Sequence, residues 1–270
     1  MTGVREELAE RVVLDQRLRV SVRHGDAPGR PLILCNGIGA SLDMLQPFVD
    51  ALDPAITVIR FDVPGIGGSP LPKRPYLLAT LAKLVSRLAG DLGHETFDVL
   101  GISWGGALAQ QIAFQYPDRC RQLVLVATAP GWMMVPAHPK VLRRMITPKR
   151  YQDPTYAAKI APEIYGGSLR DDPLRVRELM NTHEPVTSRR GYLLQLAAFT
   201  GWTSTPFLPM VNQPTLILAG DDDPIIPLAN AKLMAKLLPN ARLHVYADGH
   251  LGLIVAADKL APVVADFLRS

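Results

Sequence analysis

The run Phe97-Asp98-Val99-Leu100-Gly101-Ile102-Ser103-Trp104-Gly105-Gly106-Ala107-Leu108-Ala109-Gln110-Gln111-Ile112 decides the fold. Its first part is a short apolar stretch of the kind that forms a buried strand, and its last part has the composition of a buried helix. Between them Gly101-Ile102-Ser103-Trp104-Gly105 fits G-x-S-x-G. A serine at a strand-to-helix junction must turn in a strained conformation, and side chains two positions away on either side would collide with that turn; hence the two glycines. Such a turn presents the Ser103 hydroxyl at the carboxyl edge of a sheet. The amino end of the following helix points at the same spot and favours negative charge developing there.

Working outward, short Val/Ile/Leu-rich runs recur between amphipathic stretches, which predicts an α/β fold: a mostly parallel sheet with helices on both faces. Strands are expected at Leu18–Val22, Leu32–Cys35, Thr57–Phe61, Phe97–Ile102, Leu123–Ala127, Thr215–Ala219 and Leu243–Tyr246, and helices at Leu42–Leu52, Leu78–Leu92, Gly106–Tyr116, Leu228–Leu238 and Ala256–Leu268. The rhythm breaks in residues 131–213, which lack a strong strand signal and are rich in Pro, Arg, Met and aromatics. They read as a helical lid inserted between a first core part, 1–130, and a second, 214–270.

A nucleophilic serine needs a base and an orienting acid, supplied from loops after later strands in the order Ser, acid, His. The strand ending at Gly220 leads into Asp221-Asp222-Asp223-Pro224. Three adjacent carboxylates repel one another, so one is expected inward and two outward. Asp223 is the inward one, because Pro224 fixes the chain behind it. The strand ending at Tyr246 leads into Ala247-Asp248-Gly249-His250, which makes His250 the base. His24, His94, His138, His183 and His244 read as surface or packing residues. The oxyanion donors are expected to be the backbone N–H of Trp104 and of Ile38, the latter in the glycine loop Asn36-Gly37-Ile38-Gly39.

Composition excludes other classes. With 48% hydrophobic and 20% charged residues, the 270-residue chain is long enough for a sizeable core. Its 2 Cys, Cys35 and Cys120, lack metal or disulfide-framework spacing, so no metal and no redox role is expected. No apolar run approaches the ~20 residues of a membrane span, and the opening Met1-Thr2-Gly3-Val4-Arg5-Glu6-Glu7 is too charged for a secretory leader, so a cytoplasmic chain is expected. A net charge of +4 without a basic block argues against a nucleic-acid partner. A dinucleotide cofactor is disfavoured as well. Gly37-Ile38-Gly39 and Asp62 resemble its βαβ fingerprint, but Leu42 stands where the third glycine belongs, and in Gly65-Ile66-Gly67-Gly68 the place is taken by Pro70.

These residues resemble the α/β-hydrolases with a lid, and more closely the intracellular poly(3-hydroxyalkanoate) depolymerases of the medium-chain-length type. The wider likeness rests on Gly101-Ile102-Ser103-Trp104-Gly105, the ordered Asp223 and His250, and Phe61-Asp62-Val63-Pro64-Gly65-Ile66-Gly67-Gly68-Ser69; the closer one runs through Asn36-Gly37-Ile38-Gly39-Ala40, the nucleophile block, Ile164-Tyr165-Gly166-Gly167, Gly201-Trp202-Thr203-Ser204 and Ala219-Gly220-Asp221-Asp222-Asp223-Pro224. Many α/β-hydrolases carry His-Gly where this chain has Asn36-Gly37; the depolymerase-like family shares the Asn. The family's triad maps onto Ser103, Asp223 and His250. The resemblance implies hydrolysis of esters between 3-hydroxyacyl units at storage granules, through an acyl-enzyme and without a cofactor. Lidded dehalogenases and epoxide hydrolases use Asp as nucleophile and related polyester synthases use Cys, so Ser103 favours hydrolysis. A small-ester or thioester hydrolase on the same scaffold is the alternative, followed by an idle granule-binding protein.

For such a substrate, Trp104, Trp132, Met133, Met134 and Trp202, with Met145, Phe199 and Phe207, are expected to line an acyl tunnel or to form the lid's own core. The lid also carries the charge. Residues 131–213 hold 11 Lys/Arg, among them Arg143, Arg144 and Arg150, against 6 Asp/Glu, while the rest holds 18 against 19. That excess reads as solvated helix faces or as a cationic face for a granule surface.

Overall fold

The computed structural model describes residues 5–181 and 188–270. Eight strands form one sheet: β1 (Glu6–Val13), β2 (Gln16–Arg23), β3 (Leu32–Cys35), β4 (Val58–Phe61), β5 (Phe97–Ile102), β6 (Cys120–Val126), β7 (Thr215–Gly220) and β8 (Ala241–Tyr246). Their spatial order is β1-β2-β4-β3-β5-β6-β7-β8; all neighbours from β4 to β8 in this order pair in parallel, and β2 pairs antiparallel with both β1 and β4. The helices, in chain order, are α1 (Gln46–Ala51), α2 (Leu78–Asp91), α3 (Trp104–Gln115), α4 (Pro139–Met145), α5 (Lys149–Gln152), α6 (Pro154–Ile164), α7 (Pro173–Asn181), α8 (Arg189–Phe199), α9 (Leu228–Leu237), α10 (Gly252–Val255) and α11 (Ala257–Arg269).

The parallel strands β3, β4, β5 and β7 are buried along their whole length, as a sheet covered on both faces requires. Alternate residues serve two separate cores. Ile33, Cys35, Phe97 and Val99 pack with α2, α3 and α9 on one face, and Leu32, Leu34, Leu100 and Ile102 pack with α1 and α11 on the other. Both cysteines are buried thiols. No helix among the described residues is long and apolar enough to cross a membrane.

The structure adds one strand that the pattern did not suggest. β1 pairs with β2 through a tight turn in which Leu14 and Asp15 take positive φ. It is an outer strand with an exposed face, so its charged residues, Glu7 and Glu10 among them, are compatible with pairing. The helix expected over Leu42–Leu52 is a 3-10 turn, Leu42–Leu45, followed by α1, which begins at Gln46 with Pro47 in its first turn. Between β6 and β7 the described chain holds α4 to α8 and 3-10 turns, and its sole β contact among those residues is an isolated bridge of Gly131 to Thr203. His183 lies outside the described residues.

Candidate active site

The sharp turn after β5 puts Ser103 at φ 54°, ψ −121°, a backbone state that non-glycine residues rarely adopt. The flanking glycines are needed for space. A Cβ on Gly101 would lie 2.2 Å from the Gly105 carbonyl oxygen, and one on Gly105 would lie 2.0 Å from that of Cys35. α3 starts at Trp104, two residues earlier than its apolar pattern suggested, so its first turn begins directly behind the serine. The Thr128 hydroxyl, after β6, donates to the Ser103 carbonyl at 2.7 Å and fixes the turn from the neighbouring strand.

The loops after β7 and β8 bring the acid and the base to this turn. His250 Nε2 lies 3.1 Å from Ser103 Oγ, and its Nδ1 lies 2.8 Å from Asp223 Oδ2. Both residues are buried. Because Nδ1 faces a carboxylate, the neutral ring carries its proton there, which leaves the Nε2 lone pair toward the hydroxyl. The second oxygen of Asp223 accepts the N–H groups of Ile225 and Ile226, each at 2.9 Å. The neighbouring carboxylates turn away: Asp221 is exposed, and Asp222 pairs with Arg170, whose hydrogen bond holds the carboxyl below its ordinary range.

The helical segment braces both loops. The Tyr165 carbonyl accepts the His250 N–H at 2.8 Å. Ser168 donates its N–H and hydroxyl to Asp248 at 3.0 and 2.9 Å, and Gly167 N–H donates to Asp222 at 2.8 Å. The glycine loop after β3 is held from the same side. Gly39 N–H donates to Gln195 Oε1 at 2.8 Å, and the Gln195 carbonyl accepts Trp104 Nε1–H at 2.9 Å. Buried Gln195 of α8 thus ties together the two loops expected to supply oxyanion donors. Asp62, the residue that invited comparison with a ribose ligand, spends its carboxylate on Leu42 N–H at 2.6 Å and Gly68 N–H at 2.8 Å. Burial pushes its pKa up to about 6.

Two cavities meet at Ser103 and share Ile38, Met145 and Ile225 as walls. One is apolar and continues past Trp104, Met134, Leu142, Leu196, Phe199 and Ile226. The other is narrower and is bordered by His250, Met44, Arg150, Tyr151, Tyr165 and Ile254. Of the expected tunnel residues, Trp104, Met134, Met145 and Phe199 are therefore at the cavities, while the rest are elsewhere. Trp132 and Met133 are 73% and 59% exposed. Trp202 donates Nε1–H to Gln111 at 2.8 Å and packs against Phe199 and Phe207 behind the cavity wall. The placement of Trp132, Met133 and Trp202 in a tunnel is corrected accordingly: two face solvent and one serves packing.

Arg150, counted with the surface charge, is also corrected: it is 2% exposed. No local pattern singled out Arg150, Gln195, Thr128 or Ser168, because their roles arise where separate elements converge. Ile164-Tyr165-Gly166-Gly167 did stand out, through the resemblance alone.

Comparison with known proteins shows the family. Residues 30–257 match the model of the alpha/beta hydrolase fold family. A poly(3-hydroxyalkanoate) depolymerase of Ectopseudomonas oleovorans is 50% identical over 258 residues, covering 94% of this chain and 90% of that protein. 3-Oxoadipate enol-lactonase 2 of Acinetobacter baylyi is 26% identical, covering 84% of each chain. Among solved structures, an enol-lactonase of Burkholderia xenovorans superposes with a TM-score of 0.83 at 24% identity, covering 97% of this chain and 100% of that one, a likeness of fold.

Proposed function

Since the chain belongs to the α/β-hydrolase fold family and, within it, to the poly(3-hydroxyalkanoate) depolymerases, we propose that it cleaves the ester bonds of intracellular poly(3-hydroxyalkanoate) through an acyl-enzyme on Ser103. The observation that carries the reading is the hydrogen-bonded line Asp223–His250–Ser103 opening onto an apolar cavity. Ser103 Oγ attacks the ester carbonyl carbon as His250 Nε2 takes its proton. Asp223 holds the ring and stabilises the imidazolium, and the backbone N–H groups of Ile38 and Trp104 receive the oxyanion. The C–O bond to the leaving alcohol then breaks, with the His250 proton passing to that oxygen. Water, deprotonated by His250, attacks the acyl carbon, releases the acid and restores the serine.

Residues 131–213 act in this reading as the lid. Trp132, Met133, Leu142 and Ile146 are exposed apolar side chains of that segment, and Arg143 lies among them in sequence. They suit an amorphous polyester surface bearing carboxylate ends, which a solvated enzyme must touch before a chain enters the site. The chain is then at work at the cytoplasmic granule.

The test uses amorphous granules with medium-length side chains and reads released 3-hydroxy acids. Wild-type protein is expected to release them, and Ser103→Ala to lose this activity and that on p-nitrophenyl octanoate by at least about 10³-fold. No release alongside rapid small-ester hydrolysis would replace the reading by that of a small-ester hydrolase; unchanged activity in Ser103→Ala would refute the mechanism.

A further inference from the structure

The second cavity contains a charge that the acyl-transfer chemistry does not use. Arg150 is buried on α5, and the groups that face it are phenols: Nη1 donates to Tyr192 Oη at 3.1 Å, and Nη2 lies 3.4 Å from Tyr151 Oη. The guanidinium also sits 4.6 Å from the centroid of the Tyr151 ring. No Asp or Glu among the described residues forms an ion pair with it. Phenols offer dipoles to a cation and no countercharge, whereas burying a guanidinium without an anion is expensive. Beside it Tyr165, 2% exposed, turns its buried hydroxyl oxygen to the same guanidinium, and among the described residues its O–H has no acceptor. Burial raises the pKa of that phenol, so it remains an O–H donor. A fixed cation and an unused donor therefore border a cavity that also contains Ser103.

The position of His250 says which part of an ester enters there. The base must hand its proton to the departing oxygen, and His250 borders the Arg150 cavity but is not a wall of the apolar one. The leaving alcohol therefore lies on the Arg150 side and the acyl unit on the apolar side. Resting on the depolymerase reading, we propose that Arg150 and Tyr165 bind the free carboxylate of the terminal 3-hydroxyacyl unit, so that the enzyme works from the carboxyl end of the chain. In a polyester the leaving alcohol belongs to the unit nearer the carboxyl end. Only when that unit is the last does it bring the anion; an internal unit offers a neutral ester, which leaves the guanidinium uncompensated. Each turnover at the end exposes a new terminal carboxylate for the next.

The experiment compares kcat/KM at pH 7 for the ester-linked dimer of 3-hydroxyoctanoate as the free acid and as its methyl ester. Wild-type protein is expected to prefer the acid by roughly ten- to hundredfold, the span of a charge-assisted hydrogen bond. In Arg150→Met this ratio is expected to fall close to one; because both substrates meet the same enzyme, a general loss of activity cancels. Equal rates in the wild type, or an undiminished ratio in the variant, would overturn the proposal. Should Arg150→Met be inactive, inhibition decides. 3-Hydroxyoctanoate is expected to compete with p-nitrophenyl octanoate in the wild type far better than its methyl ester does, and less well in Tyr165→Phe. Equal inhibition by acid and ester would again refute the subsite. If granules and both dimers go uncleaved, the depolymerase reading fails by itself, and the inhibition measurement still decides whether the cavity takes a carboxylate.

Discussion

The sheet's carboxyl edge and the helical segment above it treat polar groups in opposite ways. At the edge, the loops after β5, β7 and β8 hold Ser103, His250 and Asp223 in a closed line, with the carboxylate further held by two backbone N–H groups. In the segment between β6 and β7, ion pairs such as Lys140–Glu163 lie at the surface, while the buried Arg150 faces phenols. The edge is thus complete before substrate arrives, and the segment keeps an electrostatic need that a ligand meets. Chemistry comes from the first and selection from the second. Removing Asp223 should therefore affect every substrate alike. Asp223→Asn is expected to lower kcat on both p-nitrophenyl octanoate and granules by on the order of 10⁴, with the melting temperature little changed. A substrate-selective loss would break the division.

The join between the regions is a close approach of two backbones. A Cβ on Gly249 would lie 1.9 Å from the carbonyl oxygen of Tyr165, the atom that receives the His250 N–H. Gly249→Ala must push the base away from its brace, and displacement by about 1 Å is enough for roughly 10²-fold in kcat. Gly29, where an added Cβ meets nothing within 4 Å, is the control, and Gly29→Ala should leave kcat unaltered. Equal behaviour of the two variants would show that the helical segment does not position the histidine loop.

A smaller effect is expected at the outer face. Replacing both Trp132 and Met133 by Ser removes exposed apolar surface that takes no part in the triad's hydrogen bonds. The ratio of the granule rate to the p-nitrophenyl octanoate rate is expected to fall about tenfold, the scale of the lost apolar contact. An unchanged ratio would remove these residues from the docking face.

The two regions also differ in how far their residues could be read before folding. Ser103, Asp223 and His250 each sit just past a strand, and a strand end is a local feature: an apolar run, then glycine, aspartate or proline. Their juxtaposition then follows from parallel strand order. The helical segment offers no such code. Lys149-Arg150-Tyr151 looks like a solvated helix face, and Arg150 is buried only because Tyr192 of α8 and Tyr165 at the end of α6 close over it. The opposite holds for Trp132 and Met133, whose hydrophobicity suggests an interior and whose loop puts them outside. β1 is hard to read because its residues come in pairs, Glu6-Glu7, Leu8-Ala9, Glu10-Arg11 and Val12-Val13, which masks the period-two alternation of a half-exposed strand.

Titration separates the regions by sign, and gives the smallest effect. In the helical segment, Glu163 is held below its ordinary pKa by its hydrogen bond with Lys140 and then by Arg144. In the sheet, Asp98 sits buried at the opposite end of β5 from Ser103, and burial pushes its carboxyl up to about 6 despite Arg30 Nε at 3.4 Å. A carboxyl whose folded pKa exceeds the unfolded value of about 3.9 contributes stability below that value, and the contribution is lost as pH rises through about 6. Asp98→Asn does not titrate at this site. The melting temperature of the variant relative to wild type is therefore expected to rise between pH 4.5 and pH 7.5, by the equivalent of about 2 kcal/mol. Asp62, displaced in the same direction, is present in both proteins and cancels from the difference. A difference that stays flat or falls with pH would show that Arg30 compensates the buried charge, and the contrast in sign between sheet and helical segment would not hold.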